Sequence, residues 1–162
     1  MALEIREIAA AEFGLVWPIF RAVVAAGDTY TYDPATTFEE ARDLWTAPPA
    51  RCFVAHEAGG VVGAYCVKPN QPGLGSDVAN AGYMVALEAR GRGIAGAMCE
   101  HSLAVARAAG FRAMQFNAVV ATNEAAIRAW RRHGFEIVGR IPEGFRHATL
   151  GWTDLLIMYR RL

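Results

Sequence analysis

The chain has 162 residues, its 16 basic and 16 acidic side chains cancel, and 54% of its residues are hydrophobic. This is the size and composition of one globular domain, 1–162, with enough apolar surface to build a core without metal or disulfide staples. Zero net charge argues against a protein held to nucleic acid by phosphate contacts, and no apolar run reaches the length of a membrane span. The first residues show no basic stretch followed by an apolar one, so a cytoplasmic protein is expected. Cys52, Cys66 and Cys99 are widely spaced in apolar neighbourhoods and read as buried free thiols. His56 and His101 have no metal-ligand pairing, and no metal is expected.

Taken in order, the pattern predicts a strand over 3–8 and a helix over 11–26 stopped by Gly27. Asp28-Thr-Tyr-Thr-Tyr-Asp-Pro34 is a polar, aromatic loop. Thr36 or Thr37 caps a short helix over 38–45, with Glu39 and Glu40 in its first turn. Strands over 52–57 and 61–67 flank Ala58-Gly59-Gly60, a hairpin signal. A Pro/Gly-rich loop over 69–76 leads to an apolar strand over 80–85. From Gly91 the period changes: Ile94, Met98, Val105 and Ala109 put small apolar residues on one face of a long helix that ends at Gly110. A strand over 113–119, a helix over 123–133 closed by Gly134, and strands over 135–141 and 152–159 complete the chain. A loop holding Pro142, Glu143, Arg146 and His147 joins the last two. The order β-α-α-β-β-β-α-β-α-β-β describes a mixed sheet with helices packed on it, of α+β or α/β class.

The informative segment is Tyr83-Met-Val-Ala-Leu-Glu-Ala-Arg-Gly-Arg-Gly-Ile-Ala-Gly-Ala-Met98, a strand, a tight turn and a helix start. Gly91 and Gly93 permit unusual backbone angles and keep side chains away from a ligand. The first turn of the following helix presents unpartnered N–H groups that suit a pyrophosphate, and Arg90 and Arg92 add permanent charge. The run lacks the Gly-Lys-Ser/Thr of a nucleoside-triphosphate loop. Gly91-Arg-Gly-Ile-Ala-Gly96 has the G-x-G-x-x-G spacing of a dinucleotide loop, but no acidic residue follows about twenty positions on to hold a ribose.

Arg90-Gly-Arg-Gly93-Ile-Ala95 resembles the Q/R-x-x-G-x-G/A turn of the GCN5-related N-acetyltransferase (GNAT) superfamily. Some thirty residues on, Asn123-Glu-Ala-Ala126-Ile-Arg-Ala-Trp130-Arg-Arg-His-Gly134-Phe135 resembles its second signature, N-x-x-A-x-x-x-Y-x-x-x-G-F. The order and spacing of the two, and the element order along the chain, carry the resemblance. It implies a fold whose fourth and fifth strands splay apart, acetyl-CoA as co-substrate without metal, and an amine acceptor. By position, the N–H groups of Arg90, Gly91, Arg92, Gly93, Ile94 and Ala95 would cradle the pyrophosphate. Backbone groups of Met84 and Val85 would pair with the pantetheine arm. Asn117 and Asn123 would lie near the thioester, and Ala126 and Trp130 would line the sulfur side. The Val85 N–H would stabilise the oxyanion.

Trp130 stands where the family often has tyrosine, and an indole N–H cannot protonate a departing thiolate. Asn80 and Asn117 interrupt apolar strands, where an amide makes either a structural hydrogen bond or a contact to substrate. Asn80-Ala-Gly-Tyr-Met-Val85 also resembles the branch with fungal acetyltransferases of proline-like cyclic amines, in which an asparagine here contributes to catalysis. Tyr83 either presents its phenol to the site or belongs to the core. Tyr30, Tyr32 and Asp33 are candidates to line the acceptor pocket, and Glu143 and His147 to act as base or acceptor contacts. The expected activity is acetyl transfer from acetyl-CoA to a small-molecule amine by direct attack in a ternary complex. The alternatives are a peptide or protein N-acetyltransferase and a non-catalytic acyl-CoA sensor. The family resemblance also implies a homodimer. Residues 1–57 hold four arginines and nine acids, whereas residues 90–132 hold seven arginines and two acids. The basic excess coincides with the proposed coenzyme segment.

Overall fold

A computed structural model describes residues 2–162, so Met1, the first residue of the expected domain, lies outside the described residues. Strand β1 (Glu4–Ile8) leads into a 3-10 turn (Ala10–Leu15), α1 (Trp17–Ala26) and α2 (Phe38–Thr46). Then come β2 (Arg51–Glu57), β3 (Gly60–Pro69), β4 (Val78–Val85), α3 (Ile94–Ala108), β5 (Ala113–Val120), α4 (Glu124–Arg132), β6 (Glu136–His147) and β7 (Gly151–Arg161). The seven strands form one sheet in the order β1-β2-β3-β4-β5-β7-β6, antiparallel except between β4 and β5.

Two boundaries differ from the sequence pattern. The single helix expected over 11–26 is a 3-10 turn followed by a fresh α-helix, because Pro18 at its first turn has no N–H to continue an earlier helix. The long loop expected over 142–149 is mostly strand: β6 runs to His147, and only residues 148–150 turn. Pro142 and Glu143 instead lie in a bulge between Ile141 and Phe145, where Glu143 takes φ 50° and its N–H donates to Asp154 Oδ1 at 2.9 Å. A proline and an acid read as loop residues, yet a bulge accommodates both without ending the strand.

Strand alternation sorts the core into two layers. Tyr65 and Tyr83 are paired across β3 and β4, and they point with Met114 and Phe116 toward α3 and α4. The next pair, Cys66 and Gly82, faces the other way, and a Cβ at Gly82 would lie 3.0 Å from the Tyr30 hydroxyl in the α1–α2 segment. On that second face Phe13, Phe20, Tyr32, Phe38 and Trp45 form a chain of ring contacts at 5.3–6.4 Å. Thr37 caps α2 in a reciprocal box with Glu40. All three cysteines are free and buried. Cys52 and Cys66 stand opposite each other on β2 and β3, and burial pushes the Cys66 thiol up to about 11 and that of Cys99 to about 12. No described helix is long and apolar enough to cross a membrane.

One polar pair in the α3 layer is sensitive to pH. The Tyr65 hydroxyl lies 2.7 Å from His101 Nδ1, and burial holds the phenol protonated, so one hydrogen bond joins the two groups with its direction set by the imidazole tautomer. Burial lowers the imidazole below its ordinary 6.5, so the unfolded chain binds the proton more readily than the folded one. The corresponding stability is complete above about pH 6.5 and is lost as pH falls through the folded value. Urea unfolding at pH 7 and pH 5 should show lower stability at pH 5, and His101→Gln should flatten that difference.

Candidate active site

The site begins where two parallel strands stop pairing. β4 and β5 are joined only at Val78–Ala113, Ala79–Met114 and Asn80–Gln115, yet β4 continues to Val85 and β5 to Val120. The strands fork after Asn80, whose Nδ2 donates to the Gln115 carbonyl at 2.9 Å and closes the last rung. The β4 carbonyl of Val78 accepts from Asn70 and the N–H of Ala86 donates to Val62, so even-numbered residues of this strand turn their backbone groups toward β3. Odd-numbered residues turn theirs toward the fork. The free edge therefore belongs to Ala81, Tyr83 and Val85. Met84, expected to contribute backbone groups as well, directs them to β3.

Below the fork the chain makes the glycine turn. Gly91 and Gly93 have φ of 76° and 80°, and a Cβ on either would meet nothing within 4 Å, so space above the turn is open. Gly93 is the N-cap of α3 with no side-chain cap, and the first helical bond runs from Ala97 N–H to the Gly93 carbonyl. The N–H groups of Ile94, Ala95 and Gly96 thus belong to an uncapped first turn, with the partial positive charge of the helix N-terminus behind them. Arg90 is exposed, whereas Arg92 is tied to Glu57 at the end of β2, with Nη2 and Oε2 2.5 Å apart. Sequence spacing offered both arginines to an anion; the fold leaves Arg90 unengaged and gives Arg92 a carboxylate.

Trp130 is 7% exposed and packs 4.9 Å from Tyr83 and 5.2 Å from Phe116, beside Ala126 on the same helix. The Tyr83 hydroxyl is 2.6 Å from Ser102 Oγ, and burial raises it well above 10. Of the two readings of Tyr83, the structure gives the core one. Asn123 caps α4 by accepting from Ala126 N–H at 3.3 Å, which leaves its amide nitrogen uncommitted.

On the opposite face of the fork, amides are linked in series. Gln115 Nε2 donates to Asn117 Oδ1 at 2.9 Å, and Asn117 Nδ2 donates to Asn70 Oδ1 at 2.6 Å. Asn70 and Gln115 were not singled out from sequence, since each stands alone and only the register β3–β4–β5 brings them beside Asn80 and Asn117. Tyr30 roofs this region. Its hydroxyl donates to the Tyr83 carbonyl at 2.8 Å and its ring stacks on Tyr32 at 5.4 Å. The Tyr32 hydroxyl accepts from Trp45 Nε1 and burial pushes it up to about 12, so both phenols stay neutral near pH 7.

The remaining candidates are placed apart from the fork edge. Asp33 accepts from Ala35 N–H and faces a separate cleft of about 710 Å³ lined with Glu40 and Asp43, to which β4 and β5 contribute no residue. Glu143 is in the β6 bulge. His147 Nδ1 accepts from the N–H groups of Thr149 and Leu150, so it organises the β6–β7 turn. That turn closes onto the α1–α2 segment: Ala148 N–H donates to the Gly27 carbonyl at 2.9 Å. Among the described residues no group of His, Cys, Asp and Glu is arranged to hold a metal.

The model of the acetyltransferase (GNAT) family matches residues 5–135. This chain belongs to the GNAT acetyltransferase family. A GCN5-related N-acetyltransferase structure from Kribbella flavida has 45% identity, a TM-score of 0.93, and coverage of 99% of this chain and 98% of that one. N-acetyltransferase aca1 of Schizosaccharomyces pombe is 30% identical over 139 residues, 76% of this chain and 66% of that protein. A phosphinothricin acetyltransferase from Sinorhizobium meliloti, solved with AcCoA, superposes with a TM-score of 0.88 at 23% identity, over 100% of this chain and 89% of that one.

Within this GNAT chain the position often held by tyrosine is Trp130, bound into an aromatic cluster. Trp130→Phe should keep the rings in contact, cost about 1–2 kcal/mol of stability from lost volume, and leave acetyl-CoA affinity and any transfer rate within about threefold. A loss of about a hundredfold in rate, the scale of a removed acid or base, would show that the indole does more than pack.

Proposed function

We propose that this protein transfers an acetyl group from acetyl-CoA to an amine of a small molecule, by direct attack within a ternary complex. The observation that carries this reading is the fork: an unpaired β4 edge that ends immediately before an uncapped helix N-terminus. The pantetheine arm adds to that edge as a strand would, and the pyrophosphate takes the N–H groups of Gly91 to Ala95, since that of Arg90, also expected in the cradle, donates to the Leu87 carbonyl. Acetyl-CoA brings the activated acyl group, and the solved AcCoA complex of the Sinorhizobium meliloti relative supports this choice.

The chain's own contribution is placement and polarisation. Val85 N–H, on the fork edge, donates to the thioester oxygen as it becomes an oxyanion. Trp130 and Ala126 exclude water on the sulfur side. Asn117 and Asn123 bracket the arm, and Asn80 fixes the point of divergence. The attacking amine loses its proton before or during attack. No acyl-enzyme forms, which accords with three buried thiols whose burial keeps them protonated.

A small acceptor is favoured over a peptide because the space opposite the coenzyme is roofed. Tyr30 covers Gly82, and the β6–β7 turn is bonded to Gly27. A dimer would use the outer strand β6 and its neighbour β7, where Ile137, Val138, Ile141 and Trp152 are exposed.

Release of free thiol from acetyl-CoA tests the reading, with primary amines, amino acids and proline-like cyclic amines as acceptors. Turnover is expected with at least one small amine; tight acetyl-CoA binding without turnover on any of them would favour a sensor. The double change Gly91→Asp and Gly93→Asp puts two carboxylates where the anion would sit. It should abolish coenzyme binding while the protein still unfolds cooperatively, and retained affinity would remove the pyrophosphate assignment. Asn80→Ala should lower turnover at least about tenfold while changing acetyl-CoA affinity little. An unchanged turnover number would make the Asn80–Gln115 bond purely structural.

A further inference from the structure

The uncapped start of α3 lies against the end of α4. A Cβ placed on Gly96, the third residue of α3, would stand 3.3 Å from His133 Cε1 and 3.8 Å from His133 Nε2. Helical Cβ positions lean toward the N-terminus. This edge of the imidazole therefore covers the side of the first turn, where the N–H groups of Ile94, Ala95 and Gly96 have no helical partner. Gly96 makes the approach possible, because a side chain there would need the space the ring occupies. His133 is half-buried just past the last residue of α4, and its carbonyl accepts from Arg160 of β7.

The two ring nitrogens have different duties. Nδ1 is 2.8 Å from the Ala129 carbonyl, which can only accept, so Nδ1 carries a proton. Nε2 has no partner among the described residues and meets solvent. With the Nδ1 proton committed, Nε2 can donate only when the ring holds a second proton and is cationic. The charged groups on the elements around it are Arg131 and Arg132 of its own helix, Arg160 of β7, Glu100 one turn along α3 from Gly96, and Glu136 at the start of β6. Among the described residues no acid is ion-paired with this imidazole. The three guanidinium groups outnumber the two acids, and the N-terminal end of α3 adds partial positive charge. By itself this setting offers a second proton nothing to balance it. A pyrophosphate seated on the first turn supplies the balance.

We infer that His133 is a further coenzyme-binding residue, whose protonated Nε2 donates to a pyrophosphate oxygen, so that coenzyme binding takes up a proton. The inference rests on the pyrophosphate seat proposed above, and adds to it a donor that comes from α4 rather than from the glycine turn. Backbone N–H groups and guanidinium ions do not titrate near neutral pH, whereas imidazole changes charge there. The bond is charge-assisted only in the protonated form. By linkage, affinity is greatest where the ring is already charged and declines as pH rises through the range in which it loses that proton.

The test uses dephospho-CoA, whose pyrophosphate keeps its charge between pH 6 and pH 8, with calorimetry in two buffers of different ionisation heat. Wild type is compared with His133→Asn, whose amide can still reach the Ala129 carbonyl but leaves nothing at Nε2, and with His133→Gln, an uncharged donor. Wild type is expected to take up part of a proton on binding at pH 7, and to bind about tenfold more weakly at pH 8 than at pH 6. Both variants should bind without proton uptake and change affinity by less than about twofold over that range. Melting temperatures measured beside them show whether a variant keeps its fold, and the wild-type proton count stands without either. Wild type that binds with no proton uptake overturns the inference. So does a pH dependence that survives in both variants. Failure of the seat itself is a different result: the Gly91→Asp, Gly93→Asp protein would then bind dephospho-CoA as tightly as wild type, and seat and inference would fall together.

Discussion

Everything in the site descends from the point at which β4 and β5 cease to be partners. Three residue pairs hold the strands together, and the last is reinforced by the Asn80 side chain reaching across to the Gln115 carbonyl. Past that rung the β4 backbone has donors and acceptors but no strand to receive them. In a closed sheet such an edge would be a liability. Here the helix that follows begins with its own unanswered N–H groups a few residues away, so two kinds of unsatisfied backbone converge on one groove. A long ligand with an amide-bearing arm and a charged end meets both needs at once.

The two faces of the fork differ in character. Toward α3 and α4 the walls are aromatic and sulfur-bearing: Tyr83, Phe116, Trp130 and Met114, with the Tyr83 phenol turned inward to Ser102. Toward α1 and α2 they are amides and phenols: Asn70, Asn117, Gln115, Tyr30 and Tyr32. The first face packs and excludes water. The second can exchange hydrogen bonds with a polar molecule. The strand period of two separates them, so that one short segment of β4 serves both.

Much of this was legible in the sequence, and the parts that were not share a cause. The glycine turn and the helix behind it could be read because their signals are local: Gly91, Gly93 and the period that starts at Ile94. The capped start of α2 at Thr37 was equally local. Long-range register was hidden. Nothing near Asn70 announces that it will meet Asn117, 47 residues away. Nor does anything near Arg92 announce Glu57. The β6 bulge was misread as a loop because Pro142 and Glu143 are loop residues by habit, and only the partner strand, through Asp154, holds them in the sheet. Trp130 showed its departure from the family pattern at once, but its contacts with Tyr83 and Phe116 required the fold.

Gly82 and Tyr30 lie 52 positions apart and behave as one unit of variation. The hydroxyl that covers the Tyr83 carbonyl has room only because residue 82 lacks a side chain; a methyl there would stand 3.0 Å from the phenol oxygen. A larger residue at 82 forces a smaller one at 30, and the smaller one uncovers a backbone acceptor on the fork edge. A smaller residue at 30 alone leaves a hole above a glycine. Drift at either position is therefore penalised until the other has changed, and a lineage that escaped would reach a groove with a different roof and a different set of molecules beneath it.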